Sequence, residues 1–252
     1  MITSKKLSKY NKINHGFFNR IGGKSKGIYS TLNCGYGSKD KKVNIKKNLK
    51  IVKNRISKNS KNVFLMNQTH SNKVFFIDKK LKFLKKISAD AVVTGQSKIP
   101  IATLTADCVP ILIYERKKNI IAAIHAGWKG ALKGIVKKVI TLMINKGCKR
   151  KYFTVAIGPC IQEKNYEVKK DFFNKFVKKY EKSKIFFKKK KSKLYFNLPN
   201  FLKYQLKINK ITNIDTIKID TFDKKNNFFS ARRSLQLKHD DYGRNISIIM
   251  IN

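Results

Sequence analysis

The chain has 252 residues, of which 42% are hydrophobic and 11% aromatic, so it can bury a sizeable core and does not have the composition of a disordered protein. Its 58 basic residues outnumber 14 acidic ones and give a net charge of +44, but only seven of the basic residues are arginines and the lysines are spread along the chain. Because nucleic-acid sites favour clustered arginine, we expect no specific nucleic-acid binding, only nonspecific binding at low salt, and we attribute the lysine excess to base-composition bias and a solvated surface.

The cysteine pattern and the absence of long apolar runs predict where the protein works. Four cysteines occur without a C-x-x-C pair or a dense framework, which is typical of reduced thiols in an internal compartment. No stretch has eighteen consecutive apolar residues, and the basic N-terminus lacks the apolar run of a signal peptide. We therefore expect a cytoplasmic protein without a membrane span.

The first half of the chain reads as loops, one helix and a series of short strands. Glycine-rich residues 16–37 predict turns, and residues 43–56 have helical periodicity. Apolar runs of strand length follow at 63–66, 74–77, 91–94, 101–105, 109–114 and 120–124.

The second half adds helices between fewer strands. The pattern predicts helices over 131–145, 168–180 and 198–206, and strands over 152–157, 216–219 and 246–251. The lysine run at 188–191 is interpreted as a solvated loop. Because strands and helices alternate irregularly, we predict an α/β (α+β) fold with mixed sheets covered by helices, formed by residues 1–252 as a single domain. Dinucleotide-binding and P-loop motifs are absent from the sequence.

Three side chains could form a metal site. His70 and His125 follow apolar runs of strand length, and Cys108 interrupts another. Two imidazoles, one thiolate and an open fourth position are the ligand set of a catalytic zinc. Two other interpretations stay open, namely a buried structural cysteine beside hydrogen-bonded histidines, and a nucleophilic Cys108 activated by His125 without metal.

Basic side chains near glycines and in a pair suggest an anion site. Lys129 lies in Gly-Trp-Lys-Gly at the start of the helix that follows His125, where backbone N–H groups favour a phosphate. Arg232 and Arg233 are adjacent in a lysine-dominated chain, which favours bidentate anion contacts, and Arg244 could act similarly. If the arginine pair lies on a strand, at most one of the two can reach a site.

Several motifs together resemble the YfiH-like, or laccase-domain, family, also named polyphenol oxidases. They are Gln-Thr-His at 68–70, Ala-Asp-Ala-Val-Val-Thr at 89–94, Thr-Ala-Asp-Cys-Val-Pro-Ile at 105–111, Ala-Ile-His-Ala-Gly-Trp-Lys-Gly at 123–130, Ile-Gly-Pro-Cys-Ile at 157–161 and Phe-Ser-Ala-Arg-Arg at 229–233. The resemblance implies a layered α/β/β/α sandwich and a zinc ion held by His70, Cys108 and His125. It also places Asn33 in a loop on the substrate side.

The resemblance further implies an activity. Members of the family cleave adenosine, inosine, guanosine and 5′-methylthioadenosine with phosphate, and deaminate adenosine as an additional activity. Where many members have Cys-Thr, this chain has Asp220-Thr221, which weakens any role for a cysteine there. For deamination, Asp107 and Glu163 are the acid/base candidates, since the known nucleobase-deaminase motif is absent.

Four histidines without an H-x-H pair cannot build a coupled multicopper set. We therefore expect a zinc-dependent purine nucleoside phosphorylase, acting as a monomer or homodimer on purine nucleosides and phosphate. The alternatives are the metal-free hydrolase using Cys108 and His125, and a basic nucleic-acid-binding protein without chemistry.

Overall fold

The apolar runs of the sequence form the strands of a computed structural model that describes residues 1–78 and 87–252. The strands in these ranges are β1 (Ile13–Phe17), β2 (Phe64–Leu65), β3 (Val74–Ile77), β4 (Ala91–Thr94), β5 (Ile101–Thr105), β6 (Val109–Glu115), β7 (Ile120–Ala126), β8 (Phe153–Ile157), β9 (Glu167–Val168), β10 (Phe187–Lys190), β11 (Lys193–Phe196), β12 (Ile214–Thr216) and β13 (Asn245–Ile251). The α-helices are α1 (Lys42–Ile56), α2 (Trp128–Leu132), α3 (Ile135–Asn145), α4 (Lys170–Lys179), α5 (Leu198–Ile208) and α6 (Ala231–Gln236).

Two mixed sheets form the centre of the fold, as the sequence predicts. The larger sheet has the strand order β12-β8-β6-β7-β4-β3, with β6 antiparallel to β7 and β8, while the outer pairs β3–β4 and β8–β12 are parallel. The smaller sheet has the order β1-β13-β5-β2, with β13 antiparallel to both neighbours. A short loop joins β6 to its antiparallel neighbour β7, whereas a doubly wound fold joins parallel strands by long crossovers. The fold is therefore not regularly doubly wound.

The two sheets pack face to face, and alternation along β13 shows how. Ile249 and Ile251 pack against residues of the larger sheet, whereas Ile246, Ile248 and Met250 face Val52 and Ile56 of α1 and belong to a separate core. This alternation follows from the two-residue period of a strand. On the outer face of the larger sheet, alternate residues of β7 pack against α3 and α5. The order of layers is α/β/β/α, so the fold class inferred from the sequence is confirmed.

A third, three-stranded sheet with the order β10-β11-β9 lies over an aromatic cluster. Phe187 and Phe196 are paired across β10 and β11, and each of their rings contacts both Phe172 and Phe176. The prediction of a solvated loop for the lysine run 188–191 is wrong at 188–190, which belong to β10, because Phe187 and Phe196 anchor a hairpin. Only Lys191 lies in the turn, and all four lysines are exposed, as predicted. Burial of aromatic rings therefore decides the structure here, not the charge of the run.

Other predicted boundaries differ where a turn residue or a tertiary contact intervenes. The predicted helix 131–145 is two helices, α2 and α3, because Gly134 between them has φ 75°. The strand expected at 216–219 lies earlier, at β12, and β1 and α6 were not predicted. In the described residues, no helix has both the length and the apolar character needed to cross a membrane.

Candidate metal centre and active site

Three loops or strand ends bring two imidazoles and a thiol together. His70 lies in the connection between β2 and β3, and Cys108 lies in the turn between β5 and β6. His125 is the second-last residue of β7. One donor atom from each residue lies within 4.8 Å of the other two, and Cys108 Sγ is 3.8 Å from His70 Nε2. Among the described residues, these three side chains form the one cluster of histidine, cysteine or carboxylate groups that is close enough to hold a metal ion.

Asp90, directly before β4, fixes two of these residues. Its Oδ1 accepts a hydrogen bond from the His70 backbone N–H at 3.0 Å and lies 2.8 Å from Nδ1 of His125. Its Oδ2 accepts hydrogen bonds from the backbone N–H and the hydroxyl of Ser71, both at 2.6 Å. With Nδ1 of His125 directed at a carboxylate, Nε2 is the nitrogen left to bind a metal.

The backbone at His70 shows why this carboxylate is needed. His70 has φ 56°, a left-handed conformation that costs about 1–2 kcal/mol for a residue with a side chain. The hydrogen bonds that Asp90 accepts from His70 and Ser71 hold the loop in this conformation. Asp90 thus stabilises the strained turn and orients His125 at the same time.

The protonation states of the cluster depend on one another. Burial opposes a charged Asp90, but hydrogen bonds from His125 and Ser71 outweigh it and lower the pKa of Asp90 to about 2. Burial also opposes the Cys108 thiolate, yet the imidazoles of His125 and His70 lower the pKa of this thiol below its usual value. Burial opposes an imidazolium at His125, but Cys108 and Asp90 raise its pKa. The pocket therefore favours a thiolate, the form of cysteine that binds metals and acts as a nucleophile.

Gly127 leaves the space that the cluster occupies. A Cβ atom at this position would lie 2.8 Å from Cδ2 of His70 and 3.0 Å from Sγ of Cys108. Gly127 is also the N-cap residue of α2, so this helix begins beside the cysteine and histidine side chains. Only a glycine allows the strand-to-helix turn to approach the two side chains so closely.

The cluster lies in a cleft of about 400 Å³. In addition to His70, Cys108 and His125, the cleft is lined by Tyr36, Gly37, Leu65, Met66, Asn67, Gln68, Leu104, Thr105, Ala106, Tyr242 and Arg244. None of these lining residues in the described part of the chain is an aspartate or a glutamate. Arg244 brings a positive charge, and Tyr36 and Tyr242 bring aromatic rings, to the same cleft as the candidate metal ligands.

Two side chains near the cleft are occupied by contacts with the protein. The Gln68 amide accepts a hydrogen bond from the backbone N–H of Leu104 at 2.8 Å and donates one to its carbonyl at 2.7 Å. Asn33, the predicted residue of the substrate-side loop, is fully buried, and its Oδ1 accepts the backbone N–H groups of Gly35 and Arg244. Asn33 therefore holds the chain segments that carry Tyr36 and Arg244.

The predicted phosphate-binding residues lie in different places. Lys129 is exposed on α2, and Arg232 lines a neighbouring pocket. Arg233 donates to the carbonyl oxygens of Thr221 and Phe222, at 2.9 and 2.7 Å. The assumption that the arginine pair lies on a strand is wrong, since both belong to the first turn of α6, where successive side chains point about 100° apart.

Asp107 connects the start of α6 to the turn that carries Cys108. Its buried carboxylate accepts hydrogen bonds from the hydroxyls of Thr221 and Ser230 and from the backbone N–H of Arg232. Burial is the main reason why its pKa is raised, and these hydrogen bonds oppose the rise. Glu163, the other acid/base candidate, accepts a hydrogen bond from Asn197 and does not line the cleft.

Asp220, which replaces the family's cysteine, is also a structural group in this chain. Its Oδ1 accepts the backbone N–H of Phe222, and its Oδ2 accepts the amide of Asn165 at 2.7 Å. A bridge also pairs Asp220 with Cys160 at the end of the larger sheet. In this chain the position is therefore a buried, hydrogen-bonded aspartate.

A family model described as multi-copper polyphenol oxidoreductase laccase matches residues 14–252. The chain belongs to this family. Among curated relatives, a purine nucleoside phosphorylase of Rickettsia conorii is 32% identical over 213 residues, which cover 80% of this chain and 87% of the relative. One of Bacteroides thetaiotaomicron is 29% identical over an alignment that covers 100% of this chain and 96% of the relative.

Solved structures share the fold. A crystal structure of a Neisseria meningitidis protein superposes with a TM-score of 0.85 at 27% identity and covers 96% of each chain. The YfiH protein of Bacillus licheniformis superposes with a TM-score of 0.89 at 23% identity, covering 98% of this chain and 95% of that one. The resemblance to the YfiH-like family that the motifs indicated is confirmed.

Sequence reasoning missed the role of Asp90 and the walls of the cleft. Asp90 is a lone acidic residue directly before four buried strand residues. Because a buried carboxylate needs hydrogen-bonding partners, an acidic residue at such a position indicates a polar network around it. Tyr36 and Tyr242 had no comparable signal. They are distant in sequence from the ligands and reach the cleft only through tertiary structure.

Proposed function

We propose that this protein is a zinc-dependent purine nucleoside phosphorylase that cleaves adenosine, inosine, guanosine and 5′-methylthioadenosine with phosphate. The observation that carries the proposal is the convergence of His70, Cys108 and His125 in a cleft large enough for a nucleoside. The enzyme name of the relatives from Rickettsia and Bacteroides supports the same activity.

The donor set fits zinc. Two imidazole nitrogens and one thiolate are ligands that zinc prefers, and bond lengths of about 2.0–2.3 Å at tetrahedral angles separate the donor atoms by about 3.5 Å. The separations in this cluster are within 4.8 Å, and 3.8 Å between Cys108 and His70, so a small inward movement closes the site. When bound there, zinc supplies a Lewis acid and leaves a fourth position for substrate.

The remaining groups of the cleft suit phosphorolysis. A phosphate oxygen attacks C1′ of the ribose, the C1′–N9 bond breaks, and its electron pair leaves with the purine, which takes up a proton. Arg244 can bind phosphate through its guanidinium, and Tyr36 and Tyr242 can flank the base. Burial, followed by the nearby Cys34, raises the pKa of Tyr36, so its hydroxyl stays protonated and can donate a hydrogen bond to the departing base.

Adenosine deamination rests on the resemblance alone. Attack of water on C6 of adenine needs an acid/base group, and the known zinc deaminases use a glutamate. Because no carboxylate is among the residues lining the cleft in the described part of the chain, deamination stays a prediction from the resemblance. Formation of inosine from adenosine in phosphate-free buffer is its test.

The second candidate function is a metal-free cysteine hydrolase. The observation in its favour is the sequence of contacts from Cys108 to His125 to Asp90, which is the order of a nucleophile, a base and an orienting carboxylate. Such a triad gives no role to His70, whose Nε2 lies 3.8 Å from the same sulfur. For this reason we favour the metal site.

The first experiment incubates the purified protein with inosine and phosphate and separates the products by chromatography. Hypoxanthine and ribose 1-phosphate are expected from the native protein and not from Cys108→Ala. The matched control is Cys148→Ala, which removes a buried thiol outside the cluster and should stay active. Absence of products from inosine, adenosine and methylthioadenosine with a zinc-loaded protein would contradict the proposal.

A chelator separates the two candidate functions. Removal of zinc should abolish phosphorolysis, and addition of zinc should restore it. Activity on an ester or amide substrate that persists after metal removal, and that is lost in Cys108→Ala, would instead support the hydrolase.

A further inference from the structure

A second pocket of about 420 Å³ opens beside the candidate metal centre. Its lining residues, none of which lines the first cleft, are Trp128, Tyr166, Glu167, Val168, Lys169, Phe172, Lys175 and Arg232. The pocket adjoins the centre through the chain itself. Trp128 follows Gly127, against which His70 and Cys108 pack, and the Arg232 backbone donates to Asp107, the neighbour of Cys108.

One side of this pocket is aromatic. The ring centroids of Trp128 and Phe172 are 5.2 Å apart, and those of Tyr166 and Phe172 are 6.1 Å apart in an edge-to-face arrangement. All three side chains are half-buried, and Phe172 is supported by the Phe176 ring, which stacks on it with centroids 4.7 Å apart. Such surfaces bind flat ring systems by stacking.

The other side of the pocket is positively charged. Arg232 Cζ lies 5.6 Å from the centre of the Tyr166 ring, and one of its nitrogens donates to the carbonyl oxygen of Glu167 at 3.0 Å. Among the ion pairs within the described residues, none involves Arg232, Lys169 or Lys175. The only carboxylate in the lining, that of Glu167, is paired with Lys193 at 3.0 Å.

We propose that this pocket binds a flat heteroaromatic ring that carries an anionic group, the chemical class of a nucleoside monophosphate. The ring stacks on Trp128 and Phe172, and the anion is bound by Arg232 and the two lysines. Arg232 is suited to this role because its planar guanidinium offers parallel donors to a phosphate and is held in place by Tyr166 and the Glu167 carbonyl. The site is separate from the phosphorylase cleft, and its occupation needs no turnover.

The chain contains a single probe for this site. Trp128 is its only tryptophan and lines the pocket, so a stacked ring should quench the intrinsic fluorescence of the protein. The experiment titrates the zinc-loaded native protein with adenosine 5′-monophosphate in phosphate-free buffer, with tryptophan excited selectively. Adenosine and ribose 5-phosphate are the part-ligands, each of which lacks one of the two interactions. Because ribose 5-phosphate has no ring that could quench tryptophan, its affinity is measured by its displacement of adenosine monophosphate.

We expect adenosine monophosphate to quench Trp128 with an affinity at least tenfold higher than that of either part-ligand. Arg232→Gln should weaken its binding at least tenfold. Because Arg232 also contacts the backbone, Lys175→Gln is the second variant. Lys175 is exposed, and its replacement by glutamine should weaken binding severalfold. Lys178→Gln, on the same helix but outside the pocket, should leave binding unchanged.

Three results would overturn the inference. Equal affinities for adenosine monophosphate and ribose 5-phosphate would mean that the ring makes no contact, and equal affinities for adenosine monophosphate and adenosine would mean the same for the anion. Quenching that is lost in Arg244→Gln but kept in Arg232→Gln and Lys175→Gln would place the ligand in the metal cleft. None of these results depends on phosphorylase activity, so the two proposals fail separately.

Discussion

Asp90 orients two of the three side chains of the candidate metal centre. It accepts backbone hydrogen bonds from the loop of His70 and lies 2.8 Å from Nδ1 of His125, so it acts on two of the three candidate ligands. A carboxylate that holds a metal-binding histidine fixes both the direction of the ring and the tautomer. Its position in the strongly buried segment before β4 gives it little freedom to move.

Asp90→Asn should therefore lower the affinity for zinc. The amide keeps the size of the side chain but loses its charge and places an NH₂ group against the hydrogen-bond donors of Ser71 or His125. Loss of a group that hydrogen-bonds a metal ligand typically weakens metal binding 10- to 100-fold. Competition with a chromophoric chelator measures the change. Asp171→Asn, at an exposed position of α4, is the control, and equal affinities in all three proteins would contradict the role assigned to Asp90.

A methyl group at Gly127 tests the tight approach at the cluster. In Gly127→Ala the new Cβ would lie 2.8 Å from the His70 ring and 3.0 Å from the Cys108 sulfur, so we expect both side chains to move and zinc to be lost. Gly37→Ala is the matched control, since Gly37 lines the same cleft and a Cβ there meets nothing within 4 Å. Zinc content by atomic absorption checks the prediction, and a fully loaded Gly127→Ala protein would refute it.

At the scale of elements, the segment after His125 is built from two helices. Gly134, with φ 75°, ends the short α2 and begins α3, so that α3 can pack its apolar side on β7. The short α2 keeps Gly127 and Trp128 beside the cluster. A continuous helix over 131–145 would aim this segment differently, because the left-handed residue changes the direction of the chain.

Gly134→Ala should destabilise the fold by about 1 kcal/mol, since an alanine in the left-handed region is strained. The added Cβ meets the Tyr180 hydroxyl at 3.4 Å, which does not offset the strain. Urea unfolding measures the difference, and Lys137→Ala, at an exposed position of α3, should change stability by only a few tenths of a kcal/mol. A Gly134→Ala protein as stable as the native one would show that the turn accommodates a side chain.

At the scale of the whole molecule, charge opposes the compact state. The net charge is +44, and ion pairs of lysine or arginine with a carboxylate in the described residues are few: Lys39–Asp240, Lys193–Glu167 and Arg244–Asp241. Lysine repulsion is therefore largely uncompensated, and the apolar cores between the layers must outweigh it.

The melting temperature should rise with sodium chloride. Between about 0.01 M and 0.15 M salt the Debye length falls from about 30 Å to about 8 Å, which screens repulsion between distant lysines. Each kcal/mol gained raises the melting temperature of a chain of this size by roughly 2–4 °C, so we expect an increase of several degrees. Calorimetry with zinc held constant tests this, and a flat or falling curve would mean that the lysines do not destabilise the fold.

The sequence by itself located several strands of the two central sheets. The runs at 74–77, 91–94 and 101–105 match β3, β4 and β5, because continuous apolar residues of strand length leave few alternatives. Together with the family resemblance, it also indicated His70, Cys108 and His125 as candidate metal ligands, although the residues alone left a structural cysteine and a metal-free nucleophile open. What it could not give was their distance from one another, as 38 and 17 residues separate them along the chain.

Tertiary structure alone decided which polar groups face a cleft. Arg232 and Arg233 are neighbours in sequence and both donate to backbone carbonyl oxygens, yet only Arg232 lines a pocket, because the two side chains leave a helix in different directions. Likewise, Phe187 and Phe196 pack into an aromatic cluster and so stabilise a hairpin that contains the lysine run. Local patterns fix what each segment can bury, whereas the site depends on long-range contacts such as those of Asp90, which no local pattern contains.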